Sequence, residues 1–267
     1  LYIVSTLQRS GPTNQLFNII KNLDTGLFEP YLITLSPETL DSRWDDYEAI
    51  GVKMQSLKLT RLKGLLFAKY KINKLVEEIA PDLIHSQGAR ADVFSAGISK
   101  IKAPKICTVR NFPQLDYKMT YGNLLGLYLT YTQTRAFRTL DLCCCVSDAV
   151  AKNLRTEFRI NNTKTVRNCV DDLFFSKADI AEKNLIRERL SLPVDAVIWL
   201  SSIGKDLRKN SDFIVKEFIP FLETNPNHML IFIGDGELRE MCESLVHHSS
   251  DMFFWTNSRC KIIFAGC

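Results

Sequence analysis

Two consecutive doubly wound α/β units, each a parallel sheet covered by helices on both faces, are the fold class that the sequence predicts. Three observations carry this expectation. Short apolar runs alternate with helix-period segments along the 267 residues. Gly, Ser, Pro and Asn collect at the ends of the runs, where a strand must turn into a helix. The alternation pauses once, in NCVDDLFFSKADIAEKN at residues 168–184. That pause sets a boundary near residues 171–180, between a first unit of residues 1–172 and a second of residues 173–267. A repeated strand-helix-strand order demands a parallel sheet, because parallel neighbours need a long crossover and a helix supplies it.

The elements follow in order. Residues 1–6, LYIVST, form the first strand, and Ser10, Gly11, Pro12 and Thr13 turn it into a helix over residues 15–23, with apolar residues 16, 19, 20 and 23 on one face. A second strand covers residues 31–35. Residues 48–57 hold the end of a short helix and a third strand, and residues 64–79 form a basic amphipathic helix that Pro81 halts. A short strand at 82–85 runs into SQGARAD and a helix beginning at 93–98. The strand at 105–109 is expected to lead into a long polar and aromatic loop, RNFPQLDYKMTYGN, before a helix over 124–140 and a strand at 142–146. Ser147 is placed to cap a helix over 148–157, because its hydroxyl can accept from a free amide of the first turn. A strand at 163–170 closes the first unit.

The second unit is read as a helix at 180–190, a strand at 196–202, a helix at 211–222, a strand at 229–233, the turn GDGE, a helix at 238–246 and a strand at 261–265. The chain opens directly on a strand and stops just after one. Missing residues at both ends are therefore expected, with the second sheet unfinished.

Composition narrows the class. Apolar residues make up 46% and charged residues 24%, the balance of a globular protein with a packed core. No run of eighteen apolar residues suggests a membrane span. Eight cysteines, at 107, 143, 144, 145, 169, 242, 260 and 267, include no C-x-x-C pair, and buried reduced thiols in a cytoplasmic protein are the favoured reading. The net charge of +4 divides as +6 on residues 1–172 (23 Lys and Arg, 17 Asp and Glu) and −2 on the remainder (11 and 13). Lys53, Lys58, Arg61, Lys63, Lys69, Lys71 and Lys74 occur with no acid between Glu48 and Glu77. Such a run is either a solvated helix face or a surface for anionic lipid or an anionic acceptor. Nucleic acid is disfavoured, since neither aromatic interleaving nor a binding motif accompanies it.

The sequence lacks G-x-x-x-x-G-K-[ST], G-x-G-x-x-G, G-x-S-x-G, H-E-x-x-H and Asp-x-Asp. Nucleoside triphosphatase, serine hydrolase and zinc protease readings lose their support, as does a divalent ion holding a diphosphate. What remains is IWLSSIGKDLRKN at residues 198–210. A strand ends there in a tight turn flanked by Lys205 and Lys209, and the next helix can point its amides and positive end at a phosphate. An ordinary strand-to-helix connection with solvated lysines has the same form.

Seven segments then occur in a fixed order: SGPTNQLFNIIKNL, DLIHSQGARAD, TVRNFPQLDYKMTYGNLLG, VSDAVAKNL, VRNCVDDLFF, SSIGKDLRKNSDFIVKEF and LIFIGDGELREMCESL. As a series over nearly the whole chain they resemble the family 4 glycosyltransferases of GT-B fold, notably bacterial enzymes of surface-polysaccharide synthesis. The resemblance implies two Rossmann-like domains, an acceptor-side one at 1–172 and a partial donor-binding one at 173–267. It also implies a retaining hexosyl transfer from a nucleotide-diphosphate sugar to a lipid-linked or polysaccharide acceptor, with no metal and no other cofactor, beside the inner face of the cell membrane, which residues 61–74 would approach. Cations and amide dipoles must then stabilise the departing diphosphate.

The same resemblance implies roles. Lys209 matches the donor-phosphate lysine, and Lys205 stands where arginine is usual, in a turn one residue short. Gly234, Asp235 and Gly236 match a turn beside the donor nucleotide. Gly11 matches a loop in which a side chain would obstruct phosphate or acceptor. His85 matches the first histidine of H-x-H, a catalytic candidate with Lys209, and Gln87 replaces the second histidine. Arg90, Asp92, Arg110 and Asn111 follow strand ends and are candidates for acceptor contacts, with plain surface placement the alternative. Cys169 replaces the glycine of N-G-V-D in the linker. The family's Glu-x7-Glu element, which contacts donor sugar and ribose, has no counterpart in these residues. This fragment is therefore expected to show weak activity or none. A non-catalytic nucleotide-sugar binder and a GT-B nucleotide-sugar epimerase are the rival readings.

Overall fold

A computed structural model describes residues 1–170, 175–202, 209–233, 242, 254–257 and 261–264 of the chain. The chain divides into two compact units, Leu1–Phe175 and Ser176–Cys267. In the first, β1 (Tyr2–Val4), α1 (Gly11–Lys21), β2 (Tyr31–Thr34), α2 (Trp44–Ala49), β3 (Lys53–Ser56), α3 (Arg61–Ile79), β4 (Ile84–Gln87), α4 (Ala89–Ala96), β5 (Lys105–Val109), α5 (Pro113–Phe137), β6 (Leu142–Cys145), α6 (Asp148–Phe158) and β7 (Thr163–Thr165) follow one another. The seven strands form one sheet in the order β3-β2-β1-β4-β5-β6-β7. Every pairing is parallel. The order reverses between β1 and β4, and in such sheets the carboxyl ends of those two strands open a crevice for ligand.

Side-chain alternation explains the two layers of core. Ile3 and Ile33 face α3 and α4 in a cluster with Ala68, Ile72, Val76 and Ala91. Val4 and Leu32, one residue along, face α1 and α2 with Leu16, Ile20 and Tyr47. Cys107, Cys143 and Cys145 lie under α6, among Phe137, Val150 and Leu154. All six described cysteines are free thiols, five of them buried and Cys169 exposed. Ser147 caps α6 through the Val150 amide. Ser10 and Thr13 form a reciprocal capping box on α1, with Pro12 in its first turn.

From Pro113 onward, the expected loop at 110–123 is instead the first part of α5. Phe112 is extended, as the residue before a proline prefers, and Pro113 starts the helix. Gly122 interrupts it with φ 77° and ψ 179°, so two helices meet at a bend. Gly126 then comes so close to the backbone of Tyr117 and Lys118 that a Cβ would lie 2.7–2.8 Å from their atoms. The aromatic and polar residues that suggested a loop are spread round a helix that breaks at Gly122.

The second unit contains α7 (Ile180–Arg189), β8 (Val197–Ser202), α8 (Ser211–Thr224) and β9 (His228–Ile233), with β8 and β9 parallel. Its core gathers Leu192, Val215, Leu222, Leu230, Ile231 and Phe232. β10 (Phe254–Asn257) and β11 (Lys261–Phe264) pair antiparallel, where the alternation had led us to expect one more parallel strand. Three residues separate them, enough for a hairpin and far too few for a parallel crossover. The expected helix at 238–246 lies outside the described residues, apart from Cys242.

Candidate functional site

A cleft of about 320 Å³ opens beyond the carboxyl ends of β1, β4 and β5, at the reversal of strand order. Its walls come from the turn after β1 (Ser5, Thr6, Gln8), the start of α1 (Ser10, Pro12, Thr13), the end of β4 (Gln87, Gly88), the end of β5 (Thr108, Arg110, Asn111) and two side chains of α5, Tyr117 and Gln133. Gly88 has φ 96° and ψ 151°, a conformation open to glycine and strained for other residues, and it lets β4 turn into α4 at the cleft wall. The start of α1 offers few free donors: Pro12 has no N–H and the Thr13 amide is taken by Ser10 Oγ.

Arg110 is where the strand-end reading put it. It is the charged side chain among the residues lining the cleft. Its Nη2 donates to Gln87 Oε1 at 2.7 Å and its Nη1 to Asn168 Oδ1 at 3.0 Å. Asn111 also lines the cleft and donates from Nδ2 to Asp116 at 2.6 Å. Gln87 is 7% exposed, and its Nε2 has no partner among the described residues.

His85 requires a correction. It occupies the second position of β4, paired with Tyr2 and Ile106, and so sits inside the sheet rather than on the rim. Its Nε2 lies 2.8 Å from the Thr108 hydroxyl, which does line the cleft, and its ring tilts against Tyr2 at 5.3 Å. The imidazole itself faces a second cavity of about 880 Å³, shared with Tyr2, Tyr31 and Lys53 toward the amino ends of the strands. Burial, helped by Arg110, pushes its pKa down to about 4, so it is neutral near pH 7. The His85 ring thus meets the Thr108 hydroxyl from within the sheet. Because side chains two apart on a strand share a face, it is Gln87, the stand-in for the second histidine, that reaches the cleft.

Asp92 is likewise no rim residue: it is fully buried on α4. Its Oδ1 accepts from Ser86 Oγ and its Oδ2 from Gln133 Nε2, both at 2.7 Å, while Tyr117 donates to Gln133 Oε1 at 2.6 Å. Desolvation raises its pKa to about 7 against those two hydrogen bonds. The chain Ser86–Asp92–Gln133–Tyr117 ties the sheet and α4 to both arms of α5, and thereby sets two walls of the cleft. Arg90 is on the carboxyl side of the sheet but away from this cleft, donating to Ser36 Oγ at 2.6 Å. Gly11 begins α1 with open space where a Cβ would be and is absent from the positive-φ glycines, so nothing in the fold requires glycine there.

Tyr117, Gln133, Gly88 and Thr108 were not singled out in the sequence. Gly88, a glycine just after a strand, was the available signal. Tyr117 and Gln133 were hidden because they converge only after α5 folds back at Gly122.

Residues 167–170 run beside the cleft. Gln15 grips the backbone of Cys169 twice, donating to its carbonyl at 2.7 Å and accepting from its amide at 3.1 Å. Cys169 is not among the residues with positive φ, so this backbone accommodates a side chain in place of glycine.

In the second unit, Lys209 is exposed and stands two residues before α8, after β8 has ended. Asn210 turns the chain in the left-handed region with φ 52°. Lys205, Gly234, Asp235 and Gly236 lie outside the described residues.

Comparison with known proteins fits this geometry. An uncharacterized glycosyltransferase of Methanocaldococcus jannaschii is 26% identical over 196 residues, which are 68% of this chain and 46% of that protein. The chain thus spans under half the length of that relative. The crystal structure of Anabaena HepE with UDP and glucose superposes with a TM-score of 0.71 at 13% identity, over 96% of this chain and 69% of that one. UDP-N-acetylglucosamine 2-epimerase from Rickettsia bellii superposes at 0.54 with 14% identity, over 96% and 68%. These likenesses establish the fold, two tandem Rossmann-like units of GT-B type. Residues 9–172 match Glycosyltransferase Family 4, well over half of the chain and the whole of the cleft-bearing sheet beyond β1, and the chain belongs to that family.

Proposed function

We propose that the whole protein transfers a hexose, with retention, from a nucleotide-diphosphate sugar to a lipid-linked or polysaccharide acceptor. The observation that carries the proposal is the cleft at the β1/β4 reversal, which sets Gln87, Thr108, Arg110 and Asn111 on its walls and is built from the strand ends that the ordered motifs single out. The first unit would take the acceptor. The second would take the donor, with Lys209 at the start of α8 facing the departing diphosphate, and the solved structure of HepE with UDP and glucose supports a nucleotide sugar as the donor. In the proposed reaction cations and amide dipoles stabilise the diphosphate without a metal. Turnover of nucleotide sugars by the full-length gene product tests this. Sugar transfer that falls at least 100-fold in Lys209→Ala is the expected result. No transfer with any common nucleotide sugar would overturn it, and the 267-residue chain alone is expected to be nearly inactive.

A peripheral position at the cytoplasmic membrane surface belongs to the same proposal. Among the described residues no helix is long and apolar enough to cross a membrane. Lys69, Lys71 and Lys74 of α3 are exposed, and the side chains of Arg61 and Lys63 lie outside the described residues. α5 adds an apolar component. Its inner face packs on the unit, yet Leu124, Leu127, Tyr128 and Tyr131 make an exposed stripe on its outer face where polar residues are usual. Residues 117–140 carry Lys118, Arg135 and Arg138 and no acid, a combination suited to an anionic interface. Co-sedimentation with anionic over neutral vesicles, weakened by Leu124→Ser/Leu127→Ser, is expected. Equal binding to both vesicles would remove the membrane from the proposal.

The epimerase reading keeps a place because a solved 2-epimerase shares the fold. Product analysis without acceptor separates the two, since an epimerase converts the donor's own sugar. A non-catalytic binder would hold nucleotide sugar and yield neither product.

A further inference from the structure

We propose that the cleft of the first unit seats a phosphate group carried by the acceptor, gripped by Arg110. The inference rests on reading this unit as the acceptor side. Arg110 is a half-buried cation in a cleft that carries no other charge on its walls among the described residues. Its hydrogen-bond partners Gln87 and Asn168 both offer neutral oxygens, and no carboxylate pairs with it among the described residues. A cation withdrawn from water without a counter-charge is costly, and burial lowers its pKa accordingly. The planar fork carries five N–H donors, and two are used. The remainder suit the bidentate grip that guanidinium gives to phosphate oxygens.

A second feature converges on the same place. Gln87 presents its Oε1 to Arg110, which fixes the orientation of the amide and directs Nε2 elsewhere. That N–H₂ is buried in the cleft wall with no acceptor among the described residues. A buried donor without a partner is expensive, and one beside an arginine that meets only neutral oxygens among the described residues asks for an anion. Thr108, Ser10 and Thr13 place hydroxyls on the same walls. Asn168 holds the other arm of the fork from the segment that Gln15 anchors, so the guanidinium is fixed before any ligand arrives.

Isothermal titration of the full-length gene product tests this with two probes, inorganic phosphate and UDP. In wild type we expect a phosphate site whose affinity falls at least tenfold in Arg110→Gln, recovers in part in Arg110→Lys, and is unchanged in Lys209→Ala. UDP affinity should be indifferent to Arg110→Gln. Phosphate binding that survives Arg110→Gln, or is not detected in wild type, overturns the proposal. A UDP affinity that falls in Arg110→Gln assigns the arginine to the donor and also overturns it. Loss of UDP binding alone, with the Arg110 phosphate site intact, would instead remove the donor reading.

Discussion

Two buried titratable groups flank the cleft and pull stability in opposite directions with pH. The His85 pKa is depressed from 6.5 to about 4, so its contribution is present above pH 6.5 and lost as pH falls through 4. The Asp92 pKa is raised from 3.8 to about 7, so its contribution is present below pH 3.8 and lost as pH rises through 7. Between pH 4 and 6.5 the two slopes oppose, and the wild type should be nearly flat from this source. Asp92→Asn leaves His85 alone, and its unfolding free energy from urea titration should fall on acidification from pH 6.5 to 4, by at most roughly 3 kcal/mol for a shift of this size. His85→Gln should show the reverse slope. Parallel pH profiles in all three proteins would mean that neither group is perturbed as described. Gly11 gives a further test. Gly11→Val should leave stability within about 1 kcal/mol, since nothing crowds its Cβ, while lowering turnover of the full-length gene product if ligand passes there. Loss of stability without loss of turnover would return Gly11 to a structural role.

Among the elements, α5 decides the shape of the site. It carries Tyr117 on one arm and Gln133 on the other, joined by a 2.6 Å hydrogen bond across the Gly122 bend. Gly126→Ala would place a methyl against the backbone of the first arm, an overpacking that costs typically 1–3 kcal/mol. Gly122→Ala forces a side chain into a backbone region reserved for glycine, at a similar cost. Thermal melts of both should fall, with near-UV dichroism of the tyrosines altered. A variant as stable as wild type would show that the bend is not held as described. This element also marks where the sequence stopped being legible. Strands with continuous apolar runs announce themselves, and the β4 and β5 ends led straight to Arg110 and Asn111. The two misplacements, His85 and Asp92, came from treating positions near a strand end as rim positions: His85 lies two residues deeper in β4 than Gln87, and Asp92 turns inward from α4 to Ser86 and Gln133. Tyr117 and Gln133 are sixteen residues apart and meet only through a glycine-dependent fold-back, which periodicity does not encode.

For the whole molecule, the order of strands and the family match place the first unit firmly, while its chemistry with the second unit is the central proposal. The positive balance of the first unit and the apolar stripe on α5 fit an acceptor delivered at a charged surface. An acceptor that brings its own phosphate would supply the counter-charge that Arg110 lacks among the described residues. The most direct measurement is sugar transfer by the full-length gene product, comparing wild type with Lys209→Ala and Arg110→Gln, using nucleotide-sugar donors and acceptors with and without a phosphate. We expect transfer in wild type, its loss in Lys209→Ala for every acceptor, and a loss in Arg110→Gln confined to phosphate-bearing acceptors. Undiminished transfer in Lys209→Ala, or no transfer by wild type with any of these pairs, would contradict the assignment of donor and acceptor to the two units.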